Sequence, residues 1–393
     1  MRFPEFSGEW EKYSLGEIGH TSIGLTYSPA DVVKEDGTIV LRSSNIQDGE
    51  IDYKDLVRVN KKIKDSLFTK KDDILICARN GSSRLIGKNA LISDVDAGHS
   101  YGAFMMVYRS EDNRFIRQLL CTKRYFAQVG ENLGARINQI TTSDMNSFEF
   151  FFPQSKEERN KIALFLRIID ERISTQKKII EDLKKLKDAI NNSLHNNINE
   201  FQLFSFNELG NDYSGLTGKS SDDFGSGLPY ISYLNVFRND IVTDGPFDCV
   251  KVSKTEKQNV VSYGDLLFTL SSETPSEVGI GAIYLGKTNP IYLNSFCFGV
   301  HLSNHENIYG PYLAYFVTSQ YFRRTILPFA QGSTRYNLMK SDFMKHKFCF
   351  PNMASQKAIY NALHTLSEKI QNEEVSLNKY TEQKQYLLTR LFI

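Results

Sequence analysis

The hydrophobic pattern of residues 155–194 predicts one long amphipathic helix. Its apolar positions recur in steps of four and three, interrupted only by Gln176 and Lys187, which is the spacing of a coiled-coil seam. The apolar positions are Ile162, Leu166, Ile169, Ile173, Ile180, Leu183, Ile190 and Leu194. At the start, Ser155-x-x-Glu158 predicts a capping box in which the Glu158 side chain reaches back to the cap residue.

The same seam recurs near the C-terminus with the same steps. It comprises Ile359, Leu363, Leu366, Ile370, Leu377, Tyr380, Leu387 and Leu391, and its polar interruptions fall at Glu373 and Lys384. A single amphipathic helix of this length cannot bury its own seam, so we expect the two helices to pair with each other. We expect an antiparallel pair about 50 Å long, acting as a spacer between globular segments at its opposite ends.

The segment before each helix predicts a mixed α/β head. β-branched and aromatic runs bounded by turn residues indicate strands in TIVLRSSNI, DILICARNG, NALISD, GAFMMVY and EFFFP. RFIRQLLCTKRYFAQV has helical spacing and predicts one helix.

The second half repeats the first in the same order. In pairs, the matching segments are WEKYSLGEIG and FQLFSFNELG, LRSSNI and ISYLNV, KDDILI and YGDLLF, NALI and GAIY, AFMMV and SFCFG, RYF and QYF, and FFFP and FCFP. Their common order indicates a tandem repeat. We therefore predict an α+β chain of two duplicated mixed α/β heads, separated by an antiparallel pair of long coiled-coil helices with pseudo-twofold symmetry. The predicted bounds are 1–154 for the first head, 155–196 for the central helix, 197–352 for the second head and 353–393 for the C-terminal helix.

The heads differ at the loop that follows the central strand. The first carries ARNGSSRLIG, which is basic, and the second carries TLSSETPSEVG, which is acidic. In a duplicated scaffold, conserved strands with altered loop tips indicate that the tips contact different things. If the target is duplex DNA, Arg suits guanine, Asn or Gln suits adenine, and Glu suits the cytosine amino group.

Composition predicts a globular cytoplasmic chain with no membrane segment. Of 393 residues, 41% are hydrophobic and 24% charged, which argues against disorder. No apolar run reaches the roughly 20 residues that span a bilayer, and the N-terminus lacks the apolar core of a signal peptide. Five cysteines without a C-x-x-C pair predict buried free thiols. The net charge of +1 means that any polyanion would be bound through local basic patches.

This organisation resembles the specificity subunit of type I restriction-modification systems, over the whole chain. FFFPQSKEERNKIALFLRIIDERISTQKKIIEDLKKLKDAI and FCFPNMASQKAIYNALHTLSEKIQNEEVSLNKYTEQKQYLL resemble the two helical spacer regions of that family. The Glu-Gln pair that usually opens these regions is Glu157-Glu158 in the first copy and Ser355-Gln356 in the second. GDLLF, GARINQ and GSTRYNL resemble parts of the target recognition domains.

The resemblance implies a non-catalytic subunit that binds double-stranded DNA. Each head would read one half of a bipartite site, and the helices would set the unread gap between the halves. It also implies partners: two modification subunits that use S-adenosylmethionine to methylate adenine, and restriction subunits that use ATP and magnesium. No cofactor is then expected on this chain itself.

Side-chain chemistry and loop position predict a set of candidate DNA contacts. In the first head they are Arg42, Ser43, Ser44, Asn45, Arg79, Asn80, Ser82, Ser83, Arg84, Arg136, Asn138 and Gln139. In the second head they are Ser232, Tyr233, Asn235, Ser271, Ser272, Glu273, Thr274, Arg335, Tyr336 and Asn337. Any single one has an ordinary loop role as its alternative. Lys61, Lys62, Lys64, Lys70 and Lys71 form either a phosphate-binding or a solvated basic face.

Several catalytic patterns are incomplete, so we predict no catalytic residue and no metal. Gly81 to Lys88 is one residue too long for a phosphate loop, and Gly279-Ile-Gly281 lacks the third glycine of a dinucleotide site. His301 and His305 are predicted to lie in a loop, where no helix aligns them as metal ligands. Two rival functions stay open: a non-DNA adaptor with duplicated ligand-binding heads, and an enzyme with a site between the heads.

Overall fold

The computed structural model describes residues 2–133, 138–196, 200–253, 255–303 and 306–392. Contacts divide the chain into two units, Met1–Lys177 with Val375–Ile393, and Lys178–Glu374. Each unit contains one head, and both long helices contribute residues to both units.

The first unit contains the five predicted strands in the predicted order, together with further short strands and helices. Its strands are β1 (Trp10–Ser14), β2 (His20–Ile23), β3 (Val32–Val33), β4 (Thr38–Leu41), β5 (Ile46–Gln47), β6 (Glu50–Ile51), β7 (Val57–Val59), β8 (Ile74–Cys77), β9 (Asn89–Leu91), β10 (Ser100–Tyr101), β11 (Met105–Arg109) and β12 (Glu149–Pro153). Its helices are α1 (Leu15–Ile18), α2 (Asn113–Leu119), α3 (Lys123–Asn132), α4 (Thr142–Ser147) and the first part of α5 (Lys156–Asn196), with short 3-10 turns at Pro29–Asp31, Ser43–Asn45, Asp65–Leu67 and Ser83–Leu85.

The central sheet of this head has the strand order β2-β11-β8-β9 and is antiparallel throughout. A second sheet has the order β10-β4-β7-β3, and β1 pairs with β12. β8 is buried along its whole length, as its apolar sequence ILIC requires. Its side chains belong to a continuous core that also takes in α2, α3 and part of α5.

The second unit contains the repeated elements. Its strands are β13 (Phe201–Ser205), β14 (Gly210–Ser214), β15 (Phe224–Ile231), β16 (Ile241–Val242), β17 (Asp248–Val250), β18 (Leu266–Thr269), β19 (Ser271–Ser272), β20 (Gly281–Tyr284), β21 (Tyr292–Leu293), β22 (Cys297–Leu302), β23 (Ala330–Gln331), β24 (Tyr336–Leu338) and β25 (Lys347–Pro351). Its helices are α6 (Phe206–Leu209), α7 (Tyr233–Arg238), α8 (Leu313–Phe316), α9 (Gln320–Ile326), α10 (Lys340–Lys345) and most of α11 (Met353–Leu391), with 3-10 turns at Ser221–Asp223, Pro275–Glu277, Gly310–Tyr312 and Leu327–Phe329.

Strand order confirms the duplication. The central sheet runs β14-β22-β18-β20-β16, which repeats β2-β11-β8-β9 and adds β16 in parallel to β20. The second sheet, β17-β15-β21, repeats three strands of β10-β4-β7-β3, and β13 pairs with β25 as β1 pairs with β12. Register agrees as well, because Tyr13 faces Phe150 and Phe204 faces Phe348.

Within the first unit, α5 and the end of α11 pack against each other in opposite directions. Ile162, Leu166 and Ile169 share a buried core with Leu387 and Leu391. Further along, Arg172 covers the ring of Tyr380 at 4.3 Å, and Lys384, a polar interruption of the seam, pairs with Asp170. Increasing numbers on one helix therefore meet decreasing numbers on the other, as predicted.

Within the second unit, the rest of α5 pairs with the start of α11. Lys184 bonds to Glu374 over 2.6 Å, and Ile190 packs on the core that contains Ile359 and Leu363. The seam prediction was wrong at Leu194, which is exposed. Its place in the interior is taken by two polar residues, Asn191 and His195, whose side chains bond to α8 and to the turn before it.

Local predictions failed where one side chain found a better partner. Ser155 Oγ accepts from the Glu158 N–H, but the Glu158 carboxylate is buried and takes two hydrogen bonds of 2.7 Å from Arg2 instead of reaching back to the cap. The predicted helix RFIRQLLCTKRYFAQV is two helices, because Thr122 caps α3 by accepting from the Tyr125 N–H.

That cap also corrects one match between the heads. Ser319 caps α9 by accepting from the Phe322 N–H, as Thr122 caps α3. Tyr125 is therefore equivalent to Phe322, and both rings are buried, whereas the match of RYF with QYF had aligned Tyr125 with Tyr321. The sequence match was one residue out of register.

The cysteines are free, but only part of their prediction is confirmed. Cys77 and Cys297 are buried, whereas Cys121, Cys249 and Cys349 are half-buried. Burial raises the pKa of Cys77 to about 11, so this thiol stays protonated near neutral pH.

Candidate nucleic-acid interface

Three of the predicted contact segments meet in the first head. Asn80, in the loop after β8, donates from Nδ2 to Ser43 Oγ, in the turn after β4, over 3.0 Å. Arg79 forms an antiparallel bridge with Gln139, and the Asn80 N–H donates to the Asn138 carbonyl over 3.2 Å. These bonds place the turn after β4, the loop after β8 and the segment before α4 on one surface.

The candidates on this surface differ in how far they reach solvent. The exposed ones are Ser44, Arg79, Ser82, Ser83 and Arg84, and the half-buried ones are Arg42, Ser43, Asn80, Asn138 and Gln139. Arg136 lies outside the described residues. Because Arg79 and Arg84 are both exposed, the positive charge of this loop is available to a ligand.

Asn45 is a structural residue, so its assignment as a contact is corrected. Its side chain is fully buried, its Oδ1 accepts from the Arg42 N–H, and its Nδ2 donates to the carbonyls of Asp52 and Asp55. These bonds leave no donor for a base. The Arg42 guanidinium pairs with the Asp55 carboxylate over 2.7 Å, which offsets part of its charge.

The equivalent loops of the second head also meet. β19 pairs with β24 so that Ser271 faces Asn337 and Ser272 faces Tyr336. Because the bridge between Arg79 and Gln139 lies at the same place in the repeat, the two pairings are equivalent. Ser271 Oγ also accepts from Arg335 Nε over 3.3 Å, which joins β19 to the residue directly before β24.

The side chains of Ser271 and Ser272 are buried, so these two predictions are corrected as well. Ser272 Oγ donates to Glu277 Oε2 over 2.7 Å and accepts from the Thr274 N–H. Together with the bond from Arg335 to Ser271, these contacts show that the two serines shape the loop from within.

The turn after β15 matches the turn after β4. Ser232 donates from its N–H and from its hydroxyl to Asn235 Oδ1, over 2.9 and 2.7 Å, so the Asn235 oxygen is committed to a capping box. Burial raises the pKa of the neighbouring Tyr233 above its ordinary value.

The exposed candidate contacts of the second head differ in chemistry from those of the first head. Glu273, Thr274, Arg335 and Asn337 are exposed, whereas Ser232, Tyr233, Asn235 and Tyr336 are half-buried. The acidic loop is held from behind by Arg323, whose Nη2 donates to the carbonyls of Ser276 and Val278 over 2.7 and 2.8 Å. Burial lowers the pKa of Arg323 to about 10, and the guanidinium stays charged near neutral pH.

The lysines proposed for phosphate contact are all exposed. Two of them already have acidic neighbours, since Lys61 lies 3.5 Å from Asp31 and Lys71 lies 2.5 Å from Asp94. Lys62, Lys64 and Lys70 complete the set.

Two residues on these surfaces were missed by the sequence analysis. Phe104 and Phe296 occupy the same turn before β11 and before β22, and both rings are exposed, 57% and 49%. Arg79 lies over the Phe104 ring at 5.0 Å, and Arg335 lies over the Phe296 ring at 4.9 Å. The signal was available, since the match of AFMMV with SFCFG aligns these two phenylalanines, but the run was interpreted as a strand.

The described ranges contain no group of three or more His, Cys, Asp or Glu placed to hold a metal ion. The same ranges contain no helix that is long and apolar enough to cross a bilayer. His301, predicted to lie in a loop, is part of β22 and bonds through Nδ1 to Asp265 over 2.9 Å, and His305 lies outside the described residues.

The structure has two duplicated heads with paired surface loops, and each head is followed in the sequence by a long helix. The same arrangement of two repeated domains is found in a known family. The family model for the type I restriction modification DNA specificity domain matches residues 7–200 and again 199–382. The chain therefore belongs to this family, with two copies of its domain.

Two curated relatives are specificity subunits of type I restriction enzymes. The EcoKI subunit of Escherichia coli K12 is 26% identical over 65% of this chain and 60% of the relative, and the StySPI subunit of Salmonella potsdam is 26% identical over 46% and 41%. The matched segments thus span about half the length of these relatives.

Solved structures share the fold. The S subunit of a type I restriction-modification system from M. genitalium superposes with a TM-score of 0.61 at 17% identity, over 100% of this chain and 99% of the other. A chain from a study of complex assembly and conformational transition of the type I R-M system gives 0.56 at 14% identity, over 98% of each chain.

Proposed function

We propose that this chain is the DNA sequence-specificity subunit of a type I restriction-modification complex, in which each head reads one half of a bipartite site. The observation that carries the proposal is the construction of the same loop surface twice with different side chains. The first head presents Arg79 and Arg84, and the second presents Glu273 and Arg335. A protein that bound one repeated ligand would be expected to keep the tips alike.

The exposed groups suit base edges in the major groove. Arginine donates two parallel hydrogen bonds to guanine O6 and N7, and a glutamate accepts from the cytosine amino group. Arg79 and Arg84 therefore favour guanine in the first half-site, and Glu273 favours cytosine in the second. The half-buried serines and asparagines suit phosphate and sugar contacts, which orient the head without reading sequence.

The long helices supply surface for the partner subunits. In the first unit, Leu164 and Ile168 are exposed one turn apart on α5, and in the second unit Ile179 and Leu186 are exposed two turns apart. We assign this surface to two modification subunits and to the restriction subunits, with the helices fixing the spacer length. S-adenosylmethionine, ATP and magnesium would then be bound by the partners, in the cytoplasm, and this chain would perform no catalysis.

Methylation mapping in the native cell tests the proposal. The expected result is one bipartite adenine-methylation motif that disappears when the chain is deleted. Replacing Arg79 or Arg84 by Ala should relax the first half-site only, by about 1 to 3 kcal/mol for each arginine that is bidentate to guanine. Arg114→Ala is the matched control, because Arg114 is an exposed arginine of α2 outside the candidate loops.

Two outcomes would contradict the proposal. Methylation without a bipartite motif that depends on this chain would favour the adaptor alternative. Equal relaxation of both half-sites by Arg79→Ala would mean that the first head does not read one half alone.

A further inference from the structure

A phenylalanine is exposed at the same turn in both heads. The Phe104 carbonyl accepts from the Ala78 and Arg79 N–H groups over 2.9 and 3.0 Å, and the Phe296 carbonyl accepts from the Leu270 N–H over 2.8 Å. Each ring is therefore fixed beside the loop that follows the central strand. A single exposed phenylalanine needs no explanation, but the same one in both copies of a repeat does.

An arginine covers each ring, and the two arginines come from different segments of the repeat. In the first head the arginine is Arg79, directly after β8. In the second head the equivalent position is Ser271, and the arginine is Arg335, from the segment before β24. Arg335 Nε donates to Ser271 Oγ, so the serine occupies the place of the first arginine and helps to orient the second. Both heads thus have a guanidinium over the phenyl ring, but the arginine comes from a different segment of the repeat in each head.

We propose that Phe104 and Phe296 are positioning residues for DNA reading, each holding one arginine with its N–H edge directed at the bases of its own half-site. This inference rests on the proposed function. It explains how both heads can position one arginine for contact with the bases. Nothing in the proposed function itself requires the phenylalanines.

The chemistry of the pair fits this role. A guanidinium that lies over a ring keeps its N–H donors clear of the ring, and the two terminal amino groups match the two acceptors of guanine. Stacking also restricts a long side chain before the ligand arrives, so less conformational entropy is lost on binding.

The test replaces the chain in its native cell by Phe104→Ala and by Phe296→Ala, with methylation of correct half-sites compared with single-mismatch half-sites. Each variant should lose about threefold to tenfold of this preference in its own half-site and none in the other. Phe104→Tyr should retain the preference, because tyrosine offers the same ring face. Phe126→Ala and Phe201→Ala are matched controls, since these phenylalanines are 46% and 55% exposed elsewhere in the two units.

A double variant separates positioning from a general structural role. If Phe104 acts by holding Arg79, then adding Phe104→Ala to Arg79→Ala should cause no further loss. Additive losses, or a change in both half-sites, would overturn the inference.

The outcome for the wild-type chain distinguishes the two proposals. A bipartite motif that is unchanged in Phe104→Ala and Phe296→Ala would overturn the positioning role and leave the proposed function standing. Absence of any bipartite motif with the wild-type chain would overturn the proposed function and this inference with it. Far-ultraviolet circular dichroism of the purified variants would identify any loss that comes from misfolding, and the Phe104→Tyr variant would then decide the question for the first head.

Discussion

The two heads share a backbone but support it with different polar pairs. In the first head, Arg109, the last residue of β11, bonds over 2.9 Å to Asp73, which directly precedes β8, and also donates to the Phe68 carbonyl. At the same place in the second head, Asp265 bonds to His301 over 2.9 Å, and the His301 ring stacks on Tyr213 at a centroid distance of 4.1 Å. The aspartate is retained and its partner has changed from a guanidinium to an imidazole.

This difference shows which features the repeat has preserved. A buried carboxylate needs a donor, because burying it unpaired costs several kcal/mol, but the donor can be exchanged together with its surroundings. The exchange of Arg79 for Arg335 over equivalent phenylalanines follows the same rule at the surface. The positions of the interacting side chains are kept between the heads. The residue types at these positions change together, so that each interaction is preserved.

The start of each long helix offers the largest test of this rule. Glu158 and Gln356 are equivalent and fully buried, but Glu158 binds Arg2, whereas Gln356 accepts from the Tyr309 N–H and donates to the carbonyls of Asn307 and Pro351. Gln356→Glu should lower the free energy of unfolding by about 3 kcal/mol, because it places a carboxylate against two carbonyl oxygens. Thermal and urea unfolding would measure the loss.

The reciprocal change, Glu158→Gln, is the matched control. It should cost less, since the new amide can still accept one hydrogen bond from Arg2, which is partly exposed. If Gln356→Glu were as stable as Glu158→Gln, the two sites would not differ in the way that their hydrogen bonds indicate.

Most of the architecture could be predicted because it depends on repeated patterns. The heptad spacing predicted both helices, and the ordered matches predicted the duplicated sheets. The errors fall where a single polar side chain decides the outcome. The break after α2 depends on the Thr122 cap, the buried partner of Glu158 is the distant Arg2, and Leu194 gives way to His195 because Tyr312 offers a hydrogen bond. Sequence periodicity carries no information about such partners.

The candidate site was predicted as loops more accurately than as residues. The hydrogen bonds bring the predicted segments of each head together, but Asn45, Ser271 and Ser272 are buried. Polarity suggested that these side chains face a ligand, whereas they satisfy the backbone and the neighbouring arginine. Phe104 and Phe296 were missed for the converse reason, since their apolar runs were assigned to strands and only polar loop residues were considered as contacts.

The ends of the long helices give a second, smaller contrast. Phe392 packs on Phe115 in the first unit, and His195 stacks on Tyr312 in the second, each at a centroid distance of 5.5 Å. His195 bonds through Nδ1 to the Asn191 carbonyl over 2.8 Å and through Nε2 to the Tyr312 hydroxyl over 2.9 Å. Burial lowers the pKa of His195 below its ordinary value of 6.5, against the opposing effect of the Asn191 hydrogen bond.

We predict that the second unit loses stability as the pH falls below about 6.5. The folded state holds His195 neutral, whereas the unfolded chain takes up a proton there, so acid favours unfolding. Burial also lowers the pKa of His99 in the first head, so a local measurement is needed. Amide hydrogen exchange of α8 at pH 7.5 and 5.5 should show faster opening at the lower pH.

The double variant His195→Phe with Tyr312→Phe copies the pair of rings found in the first unit and is the control. Its α8 exchange, corrected for the intrinsic pH dependence of exchange, should differ less between the two pH values than that of the wild type. Equal pH dependence in the two proteins would exclude His195 as the source.

The smallest expected effect comes from moving an arginine between strands within the second head. Arg335→Ala should weaken the reading of the second half-site, because it removes the guanidinium that lies over the Phe296 ring and contacts the bases in the proposal. Adding Ser271→Arg places an arginine where Arg79 stands in the first head, from which that side chain reaches the equivalent ring. In the double variant, the preference for the correct second half-site should be about threefold higher than in Arg335→Ala alone, as measured by methylation mapping.

Ser271→Arg combined with Arg335→Ala and Phe296→Ala is the control. It should recover none of the preference, since the ring that receives the arginine is gone. Recovery without the ring would mean that only the position of the positive charge matters. The two heads would then share an arginine at this place, and Phe296 would have no positioning role.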